Sequence, residues 1–276
     1  MNGSASGVHA VRPSRRRAPG GRPVGALPLR APALRTLAVT LLAVGCATRP
    51  PGAAAEADAA PGRRALLLDP ANPAWRTPAP PVSRLRFETT KGAFVLELVR
   101  AWGPIGADRV YNLARLGYYD DTRVHRVVRG YIAQWGLHGD PAGNAAWQSR
   151  TIAADPPRSR HARGTFALAY AGPRRPDTRN TQLFVNLADN ARNDAEPFTV
   201  LGTVVEGMAV LDSLYAGYGE RSGSGVRQGK QGPIETGGNA YLDREYPRLD
   251  RILHVTVREV RGAAEPTAPP RDARGR

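Results

Sequence analysis

Residues 124–140 carry the side chains best suited to chemistry. Residues 124–128 and 131–135 are β-branched and aromatic runs, joined by Arg129 and Gly130 and closed by Gly136 and Gly139, which predicts a hairpin. Side chains alternate along a strand, so Arg126 and Val128 share one side of the first strand, and Ile132 and Gln134 one side of the second. A guanidinium and an amide set among apolar side chains could grip one backbone carbonyl and one apolar ring. The same spacing also suits an amphipathic hairpin with its polar side in water, and these residues alone do not choose between the two.

Other chemistries find less support. His125, His138 and Asp140, with His161 further on, lack a recognised metal-ligand spacing, so no metal site is expected. Gly223, Ser224 and Gly225 lack the flanking strand and helix of a nucleophile elbow. No phosphate-binding glycine loop or heptad run occurs.

The elements that must position the hairpin are mostly strands. Residues 85–90 and 93–100 predict a first hairpin turning at Lys91 and Gly92, with Phe94, Leu96 and Leu98 on one face. Pro104 opens a helix with a buried stripe of Val110, Leu113 and Ala114, and Gly117 ends it. Residues 140–163 read as a long irregular loop. Strands follow over 165–170, 183–187 and 199–205, then a helix over about 207–215 with Met208, Leu211, Leu214 and Tyr215 at helical spacing. Residues 217–238, rich in Gly, Ser and charge, read as a mobile excursion, and 254–260 as a last strand. Eight strands and two helices without a βαβ rhythm predict a mainly β fold: a closed eight-stranded antiparallel barrel capped by two helices.

The ends are not domain-like. Residues 1–45 hold seven Arg and no Lys, Asp or Glu, and close on the apolar run 37–45 before Cys46. A basic region, a short apolar core and small residues predict a secretory signal too short to span a membrane. Ala43, Val44, Gly45 and Cys46 look like a bacterial lipobox, in which the cysteine becomes the lipidated first residue. A plain cleaved signal with an incidental cysteine is the alternative. Lipidation would give the single Cys a role that an internal disulfide cannot. The expected organisation is a signal at 1–45, an Ala/Pro-rich tether at 46–81 with Leu66, Leu67, Leu68 and Trp75 able to pack, a domain at 82–262 and a disordered tail at 263–276. The expected location is the cell envelope, held by a lipid anchor or soluble in the periplasm. Removing the seven signal arginines from the formal +15 leaves +8 for the rest. That reads as a surface property or a weak attraction to anionic envelope polymers, because no nucleic-acid motif accompanies it.

A second stretch adds to the first. Gly164, Thr165, Phe166, Ala167, Leu168, Ala169, Tyr170, Ala171, Gly172 and Pro173 lead through a polar loop to Thr181, Gln182, Leu183, Phe184, Val185 and Asn186. With the hairpin, they resemble the cyclophilin family of peptidyl-prolyl isomerases over roughly residues 85–260. Its signature is a Phe-His-Arg-Val strand, a Gln-Gly-Gly-Asp-like turn, an Ala-Gly-Pro segment and a Ser-Gln-Phe-Phe strand. The counterparts are His125, Arg126 and Val127; Gln134, Gly139 and Asp140; Ala171, Gly172 and Pro173; and Thr181, Gln182, Leu183 and Phe184.

The resemblance implies a cyclophilin-like barrel, Pro-containing polypeptide substrates, a monomer and no cofactor. Rotation about X-Pro faces a barrier of roughly 20 kcal/mol from amide resonance, and a catalyst must bind the twisted state best. By the resemblance, Arg126 stabilises the nitrogen lone pair freed by twisting and Gln134 holds the carbonyl side. Tyr131, Ile132, Phe184 and Phe198 form the proline pocket, Gln182 contacts substrate, and the backbone of Tyr170 stands where a peptide-binding Asn is usual. Tyr131 replaces a Phe and Ile132 a Met; Arg192 and Asn193 stand for an aromatic residue and a pocket Leu, making one wall more polar; Phe198 stands where His is common. Arg126 is permanently charged, so activity should vary little around neutral pH. Two rivals remain. One is a weakly active or inactive cyclophilin-like module that binds Pro-containing segments; the other is an envelope protein whose basic surface holds anionic polymers, marked by salt-dependent binding.

Overall fold

Hydrophobic alternation builds the sheet. In β1 (Val82–Thr89), Leu85, Phe87 and Thr89 face inward while Arg84, Arg86 and Glu88 face out. It pairs along its whole length with β2 (Gly92–Val99), setting Phe87 opposite Phe94 with the two rings stacked at 5.0 Å. The computed structural model describes residues 62–171, 174–222 and 231–262, all within the unit spanning residues 49–276. The signal segment, Cys46 and the tail at 263–276 lie outside the described residues.

The remaining strands are β3 (Thr122–Arg123), β4 (Arg126–Val128), β5 (Ile132–Trp135), β6 (Thr165–Leu168), β7 (Leu183–Asn186), β8 (Val200–Glu206) and β9 (Arg251–Glu259). All pairs are antiparallel, in the order β3-β9-β1-β2-β8-β6-β7-β5-β4. Two features differ from the expected closed eight-stranded barrel: there are nine strands among the described residues, and the ladder is open, with β3 and β4 at its edges. The cause lies at Val124 and His125. The strand predicted over 124–128 forms only from Arg126, where it pairs with β5, and the extra strand β3 lies just before it and pairs with β9. The two ends of the ladder are therefore joined through two residues of chain rather than by hydrogen bonds.

Six helices are present among the described residues instead of two: α1 (residues 62–68), α2 (Pro104–Arg115), α3 (Pro141–Trp147), α4 (Ala191–Asp194), α5 (Met208–Ser213) and α6 (Gly232–Glu245). The two expected helices are α2 and α5; Val110, Leu113 and Ala114 of α2 and Leu211 of α5 enter one core with Phe87, Phe94, Trp135, Phe166 and Leu183. α3 falls inside the stretch expected as irregular, started by Asp140, whose carboxylate accepts from the Ala142 N–H. α6 begins inside the expected excursion and kinks at Gly238.

The stretch expected as a tether packs on the sheet where it is described. Trp75 is buried in the main core, edge-on to Trp147 at 4.7 Å, and its indole N–H donates to the Asp69 carbonyl at 3.0 Å. Leu66 and Leu67 pack against the same core.

Candidate functional site

The β4–β5 hairpin sets the register of the site. Arg126 lies opposite Gln134 and Val128 opposite Ile132, so the two expected faces are one face of the ribbon. The turn closes with the Tyr131 N–H donating to the Val128 carbonyl at 3.0 Å, and Gly130 supplies the left-handed φ of 66°. Gln134 in turn lies opposite Phe184 on β7. Gly136 lets the end of β5 come close to the chain before β7: a Cβ there would meet the Thr181 carbonyl at 2.5 Å.

A polar relay runs across these strands. Arg126 Nη1 donates to Gln134 Oε1 at 2.9 Å, Gln134 Nε2 donates to Gln182 Oε1 at 2.8 Å, and Gln182 Nε2 donates to Gln231 Oε1 at 2.9 Å. Gln134 is only 3% exposed, so its amide is fully committed to holding Arg126 on one side and Gln182 on the other. Beside the relay a cavity of about 60 Å³ opens between Gln134, Gln182, Gln231 and residues 169–171. Tyr170 lines it, and its hydroxyl donates to Glu196 Oε2 at 2.7 Å; burial first, and then Glu196, raises the phenol's pKa.

The apolar half is a cluster of Ile132, Ala167 and Phe184, with Tyr131, Ala169 and Phe198 packed on it. Phe198 stands edge-on to Phe184 at 5.0 Å and lies 4.3 Å from the Tyr170 ring. The wall expected to be more polar is arranged differently. Asn193 is buried at 3% exposure, accepting from the Tyr131 hydroxyl at 3.0 Å and donating to Asn186 at 3.2 Å. Tyr131 and Asn193 thus satisfy each other, and the Arg192 guanidinium lies 3.3 Å from the Tyr131 ring centroid, a cation–π contact.

All seven predicted binding residues, Tyr131, Ile132, Gln134, Tyr170, Gln182, Phe184 and Phe198, therefore belong to one connected region with Arg126, while Cys46 lies outside the described residues. The His and Asp residues considered as ligands do not converge; among the described residues no group of three or more His, Cys, Asp or Glu could hold a metal. His125 is fully buried, and burial together with the adjacent Arg126 lowers its pKa to about 3.

A family model described as cyclophilin type peptidyl-prolyl cis-trans isomerase/CLD matches residues 84–235. The chain belongs to that family. It is an enzyme of the peptidyl-prolyl cis-trans isomerase class. A peptidyl-prolyl cis-trans isomerase of Helicobacter pylori is 34% identical over 133 residues, covering 47% of this chain and 78% of the relative. The human peptidyl-prolyl cis-trans isomerase-like 1 is 30% identical over 146 residues, 51% of this chain and 81% of the relative. Among solved structures, a cyclophilin type isomerase from Cryptosporidium parvum superposes with a TM-score of 0.48 at 18% identity, covering 65% of this chain and 99% of its own.

Sequence reasoning missed several contacts of this cyclophilin-type site. Glu220 accepts from Arg126 Nε and Nη2, both at 2.7 Å. It sits in a Gly-, Ser- and charge-rich stretch with no apolar period, so nothing in the sequence signalled its place. Ser222, Gln231 and the Tyr131–Asn193 pair were equally silent, because each is defined by its partner rather than by its neighbours in the chain.

Proposed function

We propose that the protein accelerates X-Pro rotation in polypeptides folding outside the cytoplasm, with Arg126 stabilising the twisted imide. The observation that carries this is the Arg126–Gln134 contact at 2.9 Å beside the Ile132, Phe184 and Phe198 cluster: a fixed cation next to an apolar surface. Gln134 fixes the guanidinium and Gln182 extends the polar side along the substrate. Tyr131, with its hydroxyl held by Asn193, packs on that cluster. Substrates are Pro-containing segments, and no cofactor takes part. The test is cis-to-trans isomerisation of an Ala-Pro peptide by the full chain in mild detergent, beside Arg126→Ala. Acceleration that Arg126→Ala loses by about 10²-fold or more supports the role, the size expected for removing one preorganised donor. A folded Arg126→Ala variant as fast as the parent would remove Arg126 from the mechanism.

The second reading, a module that holds Pro-containing segments with little turnover, draws on the occupancy of Arg126 by Glu220. It is distinguished by peptide binding without acceleration.

We further propose that Cys46 is acylated and anchors the protein to a membrane of the bacterial cell envelope. The support is the sequence: a basic region, a short apolar run and the lipobox-like residues 43–46. Intact mass of membrane-extracted protein checks it. A chain beginning at Cys46 with acyl mass is expected, and an unmodified Cys46 sinks the anchor.

A further inference from the structure

Arg126 has a second partner that isomerisation does not need. We infer that Glu220 is a built-in competitor for the Arg126 guanidinium, a residue that sets the substrate affinity of the site because the substrate's prolyl imide must displace its carboxylate. The inference rests on the isomerase reading of this site.

Burial separates the two partners. Gln134, 3% exposed, takes Nη1 from the protein side, whereas the Glu220 side chain, 42% exposed, covers Nε and Nη2. The Arg126 side chain itself is only 13% exposed. A ligand arriving from solvent therefore meets the guanidinium along the edge that Glu220 covers. A carboxylate held by two parallel charge-assisted hydrogen bonds outranks a neutral imide as a partner, and being on the same chain it competes at high effective concentration.

The position of Glu220 is built rather than incidental. Two residues on, the buried Ser222 hydroxyl donates to the His125 carbonyl, next to Arg126, at 2.8 Å. The Tyr246 hydroxyl donates to the Arg221 carbonyl at 2.9 Å. Residues 220–222 are thus tied to β4's approach on one side and to the end of α6 on the other. Gln231, just before α6, meets the relay independently through Gln182 at 2.9 Å.

Displacement before binding predicts a particular kinetic signature. Once the carboxylate has moved, the same Arg126 acts on the twisted imide, so Glu220 raises KM and leaves kcat nearly alone. Because the pair is partly exposed, salt weakens it and improves the parent enzyme.

The experiment compares parent, Glu220→Gln and Glu220→Ala as full chains, with thermal melting to confirm folding. An Ala-Pro peptide is turned over, and titrated for affinity, at low salt and at about 1 M NaCl, where the Debye length falls to about 3 Å. At low salt both variants should lower KM by about three- to tenfold, the range of a partly exposed bidentate pair, with kcat within about twofold. Salt should bring the parent's KM down towards the variants, which themselves respond little. A folded Glu220→Gln enzyme with unchanged or higher KM, or a salt response shared equally by all three, overturns the inference while an active parent leaves the isomerase reading standing. If none turns over the peptide and the variants bind it no more tightly than the parent, both fall together. Turnover or tighter binding gained only by the variants supports the inference directly.

Discussion

His125 makes the fold sensitive to acid by an amount that can be worked out. Its ring is fully buried, and among the described residues neither ring nitrogen has a partner in hydrogen-bonding geometry, although the Gln182 amide and the Arg123 backbone lie near enough to favour a proton weakly. Burial and the adjacent Arg126 lower its pKa from 6.5 to about 3. The sign follows from linkage. The folded pKa lies below the unfolded one, so the contribution to stability is intact above the unfolded value and is lost as pH falls from about 6.5 towards 3. At pH 5 the folded imidazole is still neutral while the unfolded one is almost fully protonated, which costs about 2 kcal/mol relative to pH 7.5. For a domain of this size that is a fall in Tm of about 4–8 °C from this one group. The perturbation is His125→Phe, which removes both unpartnered nitrogens, and the assay is urea unfolding at pH 7.5 and pH 5.0. Carboxylates destabilise both proteins alike as pH falls. The expected result is that the parent loses about 2 kcal/mol more than the variant between the two pH values. Parallel losses would refute the reasoning and mean that His125 finds a proton acceptor when charged. Because Arg126 keeps its charge throughout, loss of activity at acid pH should follow unfolding rather than precede it.

Two further perturbations test the site wall and the N-terminal segment. Tyr131→Phe leaves the buried Asn193 carbonyl oxygen without its hydroxyl donor and should cost about 1–3 kcal/mol; adding Asn193→Leu should bring stability back towards the parent, and additive losses in chemical denaturation would show that the pair is not coupled. Trp75→Ala removes the edge-on partner of Trp147 and should cost about 3–5 kcal/mol, with faster tryptic cleavage at Arg63, Arg64 and Arg76; unchanged cleavage would mean that Trp75 does not hold this segment to the sheet.

The parts of the fold legible in the sequence were those with a local period. The β1–β2 hairpin, the β4–β5 ribbon and the stripe of α2 all follow from spacing within about a dozen residues. The short strand β3 was not legible, because its partner, β9, lies far away in the chain. α6 was hidden by its composition: Gly232, Pro233, Gly237 and Gly238 argue against a helix, and Ile234 and Leu242 form it by packing with Leu137 and Leu249. In the site, alternation alone put Arg126 with Val128 and Ile132 with Gln134, and the pairing register made the two sides one face. Roles for Gln182, Phe184 and Phe198 came only with the family resemblance. The polar identity of Asn193 pointed to a more polar wall, whereas its side chain turns into a buried network with Tyr131 and Asn186.

Two arginines three residues apart on the segment joining the ends of the ladder are held in different ways. Arg123, 3% exposed, gives Nε and Nη2 to Asp243 on α6 and Nη1 to Asp121, so it pins the segment's start. Val124 adds a backbone bond from its N–H to the Asp250 carbonyl at 2.9 Å. Arg126 uses the same three nitrogens, but one of its partners, Gln134, is a neutral amide inside the sheet and only the other is an acid. Breaking the Arg123 pairs would strand a buried charge, a cost no substrate repays. Exchanging Glu220 for a substrate strands nothing, since Gln134 still holds Nη1 and the freed carboxylate is already part-way into water. The segment is therefore fixed at one arginine and exchangeable at the other: Asp243 on α6 anchors its start, and Glu220 tunes access to Arg126.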